Sequence, residues 1–122
     1  MHGVLGKTIV EADAGFRRAT NTINPEDLRA WALQLIQSKN SDKEAAATLP
    51  DYIQDLYPEL PDVLVGESYV TLGWGGGFFH WGFHIGKTNA TMPFISDNPQ
   101  YPYNFEWRPG IYYTRESKRG LQ

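Results

Sequence analysis

At 122 residues, with 41% hydrophobic and 20% charged positions, the chain has the size and composition of one globular domain, which argues against global disorder. A formal charge of −3, with Arg17-Arg18 and Lys118-Arg119 the only adjacent basic pairs, gives no electrostatic ground for a nucleic acid or an anionic membrane as partner. The lack of cysteine excludes disulfides, thiolate nucleophiles and Cys-ligated metal centres.

The first residues lack the apolar core of a signal peptide and no run approaches membrane-spanning length, so the expected setting is the cytoplasm. Leu5, Ile9, Ala12, Phe16, Ala19 and Ile23 recur at alternating spacings of four and three, which predicts an amphipathic helix from residue 8 to about 21. Its apolar stripe packs on the rest of the fold or, as the alternative, mediates self-association. Asp13 and Arg17 are four apart and read as a solvent-face pair.

The second helix, about residues 25–38, is marked at both ends. Asn24 is a favoured N-cap, Pro25 has the φ suited to the first helical position, and Glu26 and Asp27 sit at the positive end of the dipole. Ile23 and Leu28 are placed for a hydrophobic staple, and Lys39-Asn40 for a stop. Shorter helices are expected at 43–47 and 50–57, the second ending at Pro58.

After Pro61 the hydrophobic period changes to two. Strands are predicted at 63–65, 69–74 and 78–85, the last two joined through Gly75-Gly76-Gly77, where glycine serves positive φ. Tyr101, Tyr103, Phe105 and Trp107 alternate with Pro102, Asn104, Glu106 and Arg108 as a further strand. Arg108-Pro109-Gly110-Ile111 fits a type II turn into a last strand at 111–114. The expected organisation is a single domain over 1–122: helical at 8–57, antiparallel β at 62–115, with a polar tail at 116–122. The fold class is α+β, with N-terminal helices packed on one face of an antiparallel sheet of four or five strands. Trp31, Leu35, Val70, Leu72, Trp81, Phe83 and Ile85 are its expected core.

The segment 72–86 holds six of the 12 glycines, two of the four tryptophans and two of the three histidines. On a strand, His80, Gly82 and His84 share one face, with Phe79, Trp81, Phe83 and Ile85 on the other. The two histidines would then lie roughly 13 Å apart, too far to hold one metal ion together. No metal or other cofactor is expected. The ordinary reading of both histidines is as packing or sheet-face residues; the sharper one makes His80 or His84 a general base. Asp97, Glu106 and Tyr112 are the available partners, and the sequence does not place them. Glycines 82 and 86 invite close contact on that face by a helix, a ring or a ligand.

Gly6-Lys7-Thr8 and Gly86-Lys87-Thr88 end like phosphate loops, but the required first glycine is Met1 in one and Trp81 in the other. The aromatic ladder Tyr101, Tyr103, Phe105 and Trp107 could form a stacking platform for sugar rings or a proline-rich peptide, although such ladders more often face a core. These readings lead to a non-catalytic binding or assembly module, with a protein partner or a second copy of the chain as candidate partners. Its expected ligand-binding residues are Trp74, His80, His84, Tyr101, Tyr103 and Trp107. A small hydrolase-like enzyme with a histidine base is the alternative.

Trp74-Gly75-Gly76-Gly77-Phe78, His80-Trp81-Gly82 and Trp107-Arg108-Pro109-Gly110-Ile111-Tyr112, preceded by Leu28-Arg29-Ala30-Trp31-Ala32, resemble motifs of a group of uncharacterised bacterial proteins. The resemblance covers about residues 25–114. It implies a shared small α+β fold and a bacterial origin, and transfers no catalytic residue.

Overall fold

A computed structural model describes residues 2–75, 79–87, 102–117 and 119–121, with side chains from residue 8 onward. Among these residues four helices, α1 (His2–Thr22), α2 (Pro25–Gln37), α3 (Asp42–Ala47) and α4 (Asp51–Gln54), precede five strands. These are β1 (Asp62–Val65), β2 (Tyr69–Trp74), β3 (Trp81–Gly86), β4 (Tyr103–Arg108) and β5 (Ile111–Arg115). All pairings are antiparallel, in the order β1-β2-β3-β5-β4, which puts the last strand inside the sheet and β4 at its edge. The fold is thus the expected α+β. None of the described helices is long and apolar enough to cross a membrane.

Local chemistry explains the helix ends. Asn24 caps α2 by accepting from the Glu26 amide at 2.8 Å, and Ile23 and Leu28 are both buried beside it. At the other end Lys39 takes a positive φ of 51°; its amide and that of Asn40 donate to Ile36 and Leu35, a Schellman closure made without glycine. Ser41 and Glu44 form a reciprocal capping box on α3. The Asp42 carboxylate accepts from the Val65 amide at 2.8 Å, tying α3 to the edge strand β1.

The helices cover one face of the sheet. That face carries Val70, Leu72 and Trp74 from β2, Trp81, Phe83 and Ile85 from β3, and Ile111, Tyr113 and Arg115 from β5, all buried. Of the expected core, Trp31 is half-buried, its indole nitrogen donating to Thr48 Oγ1, and the rest is buried. Phe16 of α1 stacks on Tyr113 at 4.5 Å, and the rings of Trp74 and Trp81 stack at 4.7 Å.

Four sequence expectations change. Helix α1 begins at His2 rather than near residue 8, and β3 begins at Trp81 rather than 78. Asp13 does not lie on the solvent face with Arg17: it is 0% exposed and bonds through both carboxylate oxygens to Arg115, itself 0% exposed, whereas Arg17 is exposed. The tail after β5 is not simply polar overhang either. Arg115 Nη1 donates to the Ser117 carbonyl at 2.8 Å and Nη2 to that of Gly120 at 2.9 Å. The Arg108–Ile111 turn has Gly110 at φ +83°, as a type II turn requires, and Gly75 has φ +95°. The other two glycines of the run lie outside the described residues.

Candidate functional site

Register determines what the uncovered face presents. Strand pairing aligns Asp62, Gly73, Gly82, Thr114 and Asn104 in one row across the five strands. The neighbouring row is Leu64, Thr71, His84, Tyr112 and Glu106. Two adjacent glycines in the first row leave the sheet bare of side chains. A cleft of about 160 Å³ opens there, lined by Asp62, Leu64, Thr71, His80, His84 and Thr114 around Gly73, Gly75 and Gly82.

Gly82 is required by the backbone itself. A Cβ there would lie 1.8 Å from the Leu72 carbonyl oxygen, so no other residue fits this pairing. At Gly73 a Cβ meets nothing within 4 Å, so the space above it is open.

His84 lies at the base of the cleft, 2% exposed, its Nδ1 sharing a hydrogen bond with Thr71 Oγ1 at 3.1 Å. The Tyr69 ring packs beside it at 5.7 Å. Burial pulls its pKa down to about 4, so the imidazole is neutral near pH 7. His80 lies just before β3, at the mouth, with half of its side chain exposed. Its Nδ1 donates to the Glu116 carboxylate at 2.7 Å, and the Glu116 amide donates back to the His80 carbonyl at 3.2 Å. A neutral imidazole held in this way turns the Nε2 lone pair away from the acid.

Glu116 is held at this position from the opposite side of the sheet. Its neighbour Arg115 is fixed by Asp13, with Nε to Oδ1 at 2.8 Å, and lies over the Tyr103 ring at 4.1 Å. Tyr113 donates its hydroxyl to the same Asp13 oxygen at 2.5 Å. Burial first, and then the Asp13 carboxylate, push the Tyr113 pKa well above its ordinary value. For Arg115 burial opposes the charge, but Asp13 outweighs it and the guanidinium stays protonated.

The structure therefore gathers His80 and His84 around one cleft and leaves Trp74, Tyr103 and Trp107 away from it. Trp74 is buried against the helices, and its indole nitrogen donates to the Glu59 carbonyl at 3.0 Å. Phe79 is buried as well. Tyr103 and Trp107 are half-buried on the helix-facing side, at the β4 edge, where a bulge between Glu106 and Arg108 shifts the register. Tyr101 and Asp97 lie outside the described residues. Glu106 serves Tyr112, whose pKa is raised by burial and then by that carboxylate, and neither lines the cleft. Asp62, Thr71, Thr114 and Glu116 were not among the expected site residues. The alternation Tyr69-Thr71-Gly73 does put Thr71 on the polar face, but only strand pairing brings in the other three.

Among the described residues, no cluster of three or more His, Cys, Asp or Glu side chains has the arrangement to hold a metal ion. Fold and site together define an α+β domain whose sheet is covered by helices on one face and carries a polar, glycine-floored cleft on the other. No protein-family profile, curated protein or solved structure matches the chain.

Proposed function

We propose that the protein is a small-ligand binding module and that its site is the cleft over Gly73 and Gly82. The observation that carries this reading is the convergence of polar side chains on a stretch of bare backbone. Gly82 leaves β3 without a side chain at that point, and His84, Thr71, Thr114, His80 and Asp62 surround the space. A few convergent polar groups around a concave surface are the usual anatomy of a ligand site. Its volume suits a single ring, since an apolar cavity of ~150 Å³ admits benzene. Four of the residues that carry the bacterial resemblance, Gly75, His80, Trp81 and Gly82, line this cleft, so kinship with that group belongs to the same proposal. So does a cytoplasmic setting, supported by the absence of a long apolar helix among the described residues.

A thermal-shift screen of ring-sized polar fragments tests the reading. A ligand at 100-fold excess over Kd adds about 2.7 kcal/mol of stability. The Gly73→Val variant should abolish the shift, because its side chain enters the cleft where a Cβ has free space. A screen without hits, or hits that persist in that variant, would sink the proposal.

One observation favours a second reading. His80 is oriented by a carboxylate at 2.7 Å, the arrangement of a general base that takes a proton from water as it attacks an ester or amide carbon and returns it to the leaving group. Turnover of chromogenic esters that is lost in both His80→Ala and Glu116→Gln would establish it; turnover equal to that of buffer would dismiss it.

A further inference from the structure

Among its described lining residues the cleft offers the Asp62 carboxylate and no Lys or Arg, and we infer that its ligand is a small organic cation, a ring-sized molecule bearing an ammonium group, with Asp62 as the counter-ion. The inference rests on the binding role proposed above and adds the ligand's charge to it.

Asp62 is exposed at the start of edge strand β1, in register with Gly73, at the rim of the cleft. Among the described residues it pairs with no Lys, Arg or His. At the mouth of the cleft His80 directs Nδ1 to the Glu116 carboxylate, which does not itself line the space. His84, neutral near pH 7, adds no positive charge. Thr71 and Thr114 have hydroxyls that serve either sign. No Lys or Arg is found among the described lining residues. The nearest buried cation by sequence, Arg115, points to the other face and is neutralised by Asp13. An anionic ligand would therefore meet the Asp62 carboxylate with no Lys or Arg among the described lining residues to answer it, whereas an ammonium is complementary to that carboxylate. Leu64, 56% exposed and beside Asp62 on β1, supplies apolar contact for the ligand's carbon skeleton.

Three probes of one shape separate the possibilities: benzylamine, benzyl alcohol and benzoate, titrated at pH 7.5 into ¹⁵N-labelled protein while the Gly73, Gly75 and Gly82 amides are followed. Benzylamine is expected to shift these amides saturably and at least tenfold more tightly than benzyl alcohol, with benzoate silent. Asp62→Asn should reduce benzylamine to the affinity of the alcohol without moving the thermal midpoint. Equal or tighter binding of benzyl alcohol or benzoate overturns the cation assignment and leaves the cleft as a binding site. An unchanged benzylamine affinity in Asp62→Asn overturns the counter-ion. Silence at the three glycines from all probes overturns the inference, and if the fragment screen is silent too, the binding role falls with it.

Discussion

Gly73 and Gly82 face each other across β2 and β3, yet only one of them has room for a side chain. At Gly82 the obstruction is the Leu72 carbonyl, which belongs to the neighbouring strand and cannot yield without breaking the ladder. Gly82→Ala is therefore expected to lose about 3 kcal/mol, the upper range of overpacking. Gly73→Val should stay within about 1 kcal/mol of the parent, since valine suits a strand and the space is open. Urea unfolding of the two variants checks the contrast; equal losses would mean that the glycine pair is not asymmetric.

The Asp13–Arg115 pair joins α1 to β5 over 102 residues of sequence, with both side chains inaccessible to solvent. Removing one charge of a buried pair leaves the other uncompensated, which typically costs about 3–5 kcal/mol. Asp13→Asn is expected to fall in that range. Joint replacement, Asp13→Leu with Arg115→Met, should be less damaging than the single change, because no charge is then left buried. It should also release the contacts to Ser117 and Gly120, so that trypsin cuts after Arg119 faster than in the parent. A double variant that loses as much as the two single changes added together would refute the coupling.

How much of this was legible beforehand depended on the range of each interaction. The α2 caps could be read because Asn24, Pro25 and Leu28 act within one turn of each other. The Gly110 turn is equally local, and the alternation of Val70, Leu72 and Trp74 with Tyr69, Thr71 and Gly73 identified the two faces of β2. That alternation already put Trp74 on the covered face, whatever its aromatic character suggested. Asp13 misled for the opposite reason: a carboxylate four residues from an arginine is indistinguishable from a surface pair until the partner strand is known. Glu116 was invisible as a site residue because it meets His80 only when β5 inserts between β3 and β4, a non-local choice of strand order. Both histidines and the glycines were found because composition concentrates them in one segment, not because any spacing spelled out a reaction.

Gly15 lies inside α1, where glycine is unfavourable by about 1 kcal/mol relative to alanine. It is retained where the indole of Trp81 packs against the helix: a Cβ at this position would come within 2.6 Å of Trp81 Cη2. The indole has little freedom to move aside, being stacked on Trp74 and meeting the Tyr57 ring edge-on at 5.6 Å. Overpacking of about 1–3 kcal/mol outweighs the helix gain, so Gly15→Ala should destabilise by about 1 kcal/mol net. In a Trp81→Phe background the smaller ring frees the space and the same change should become neutral or stabilising. A double-mutant cycle by chemical unfolding measures this; additivity would show that the indole does not dictate the glycine.

His84 gives the fold a dependence on acid. Burial lowers its pKa from 6.5 to about 4, so between those values the unfolded chain binds a proton that the folded one refuses. Stability from this group is complete above pH 6.5, declines as the pH falls, and is exhausted near pH 4. The depression corresponds to a loss of about 3 kcal/mol over the window, at a slope of up to about 1.4 kcal/mol per pH unit. The carboxylates contribute mainly at the lower end, so the interval from pH 6.5 to 5 isolates the histidine. Urea midpoints across that interval should fall steeply in the parent and remain nearly level in His84→Gln, whose amide keeps a partner for Thr71 but does not titrate. Parallel curves for the two proteins would place the acid sensitivity elsewhere and would mean that the imidazole at the base of the cleft accepts a proton as readily as one in water.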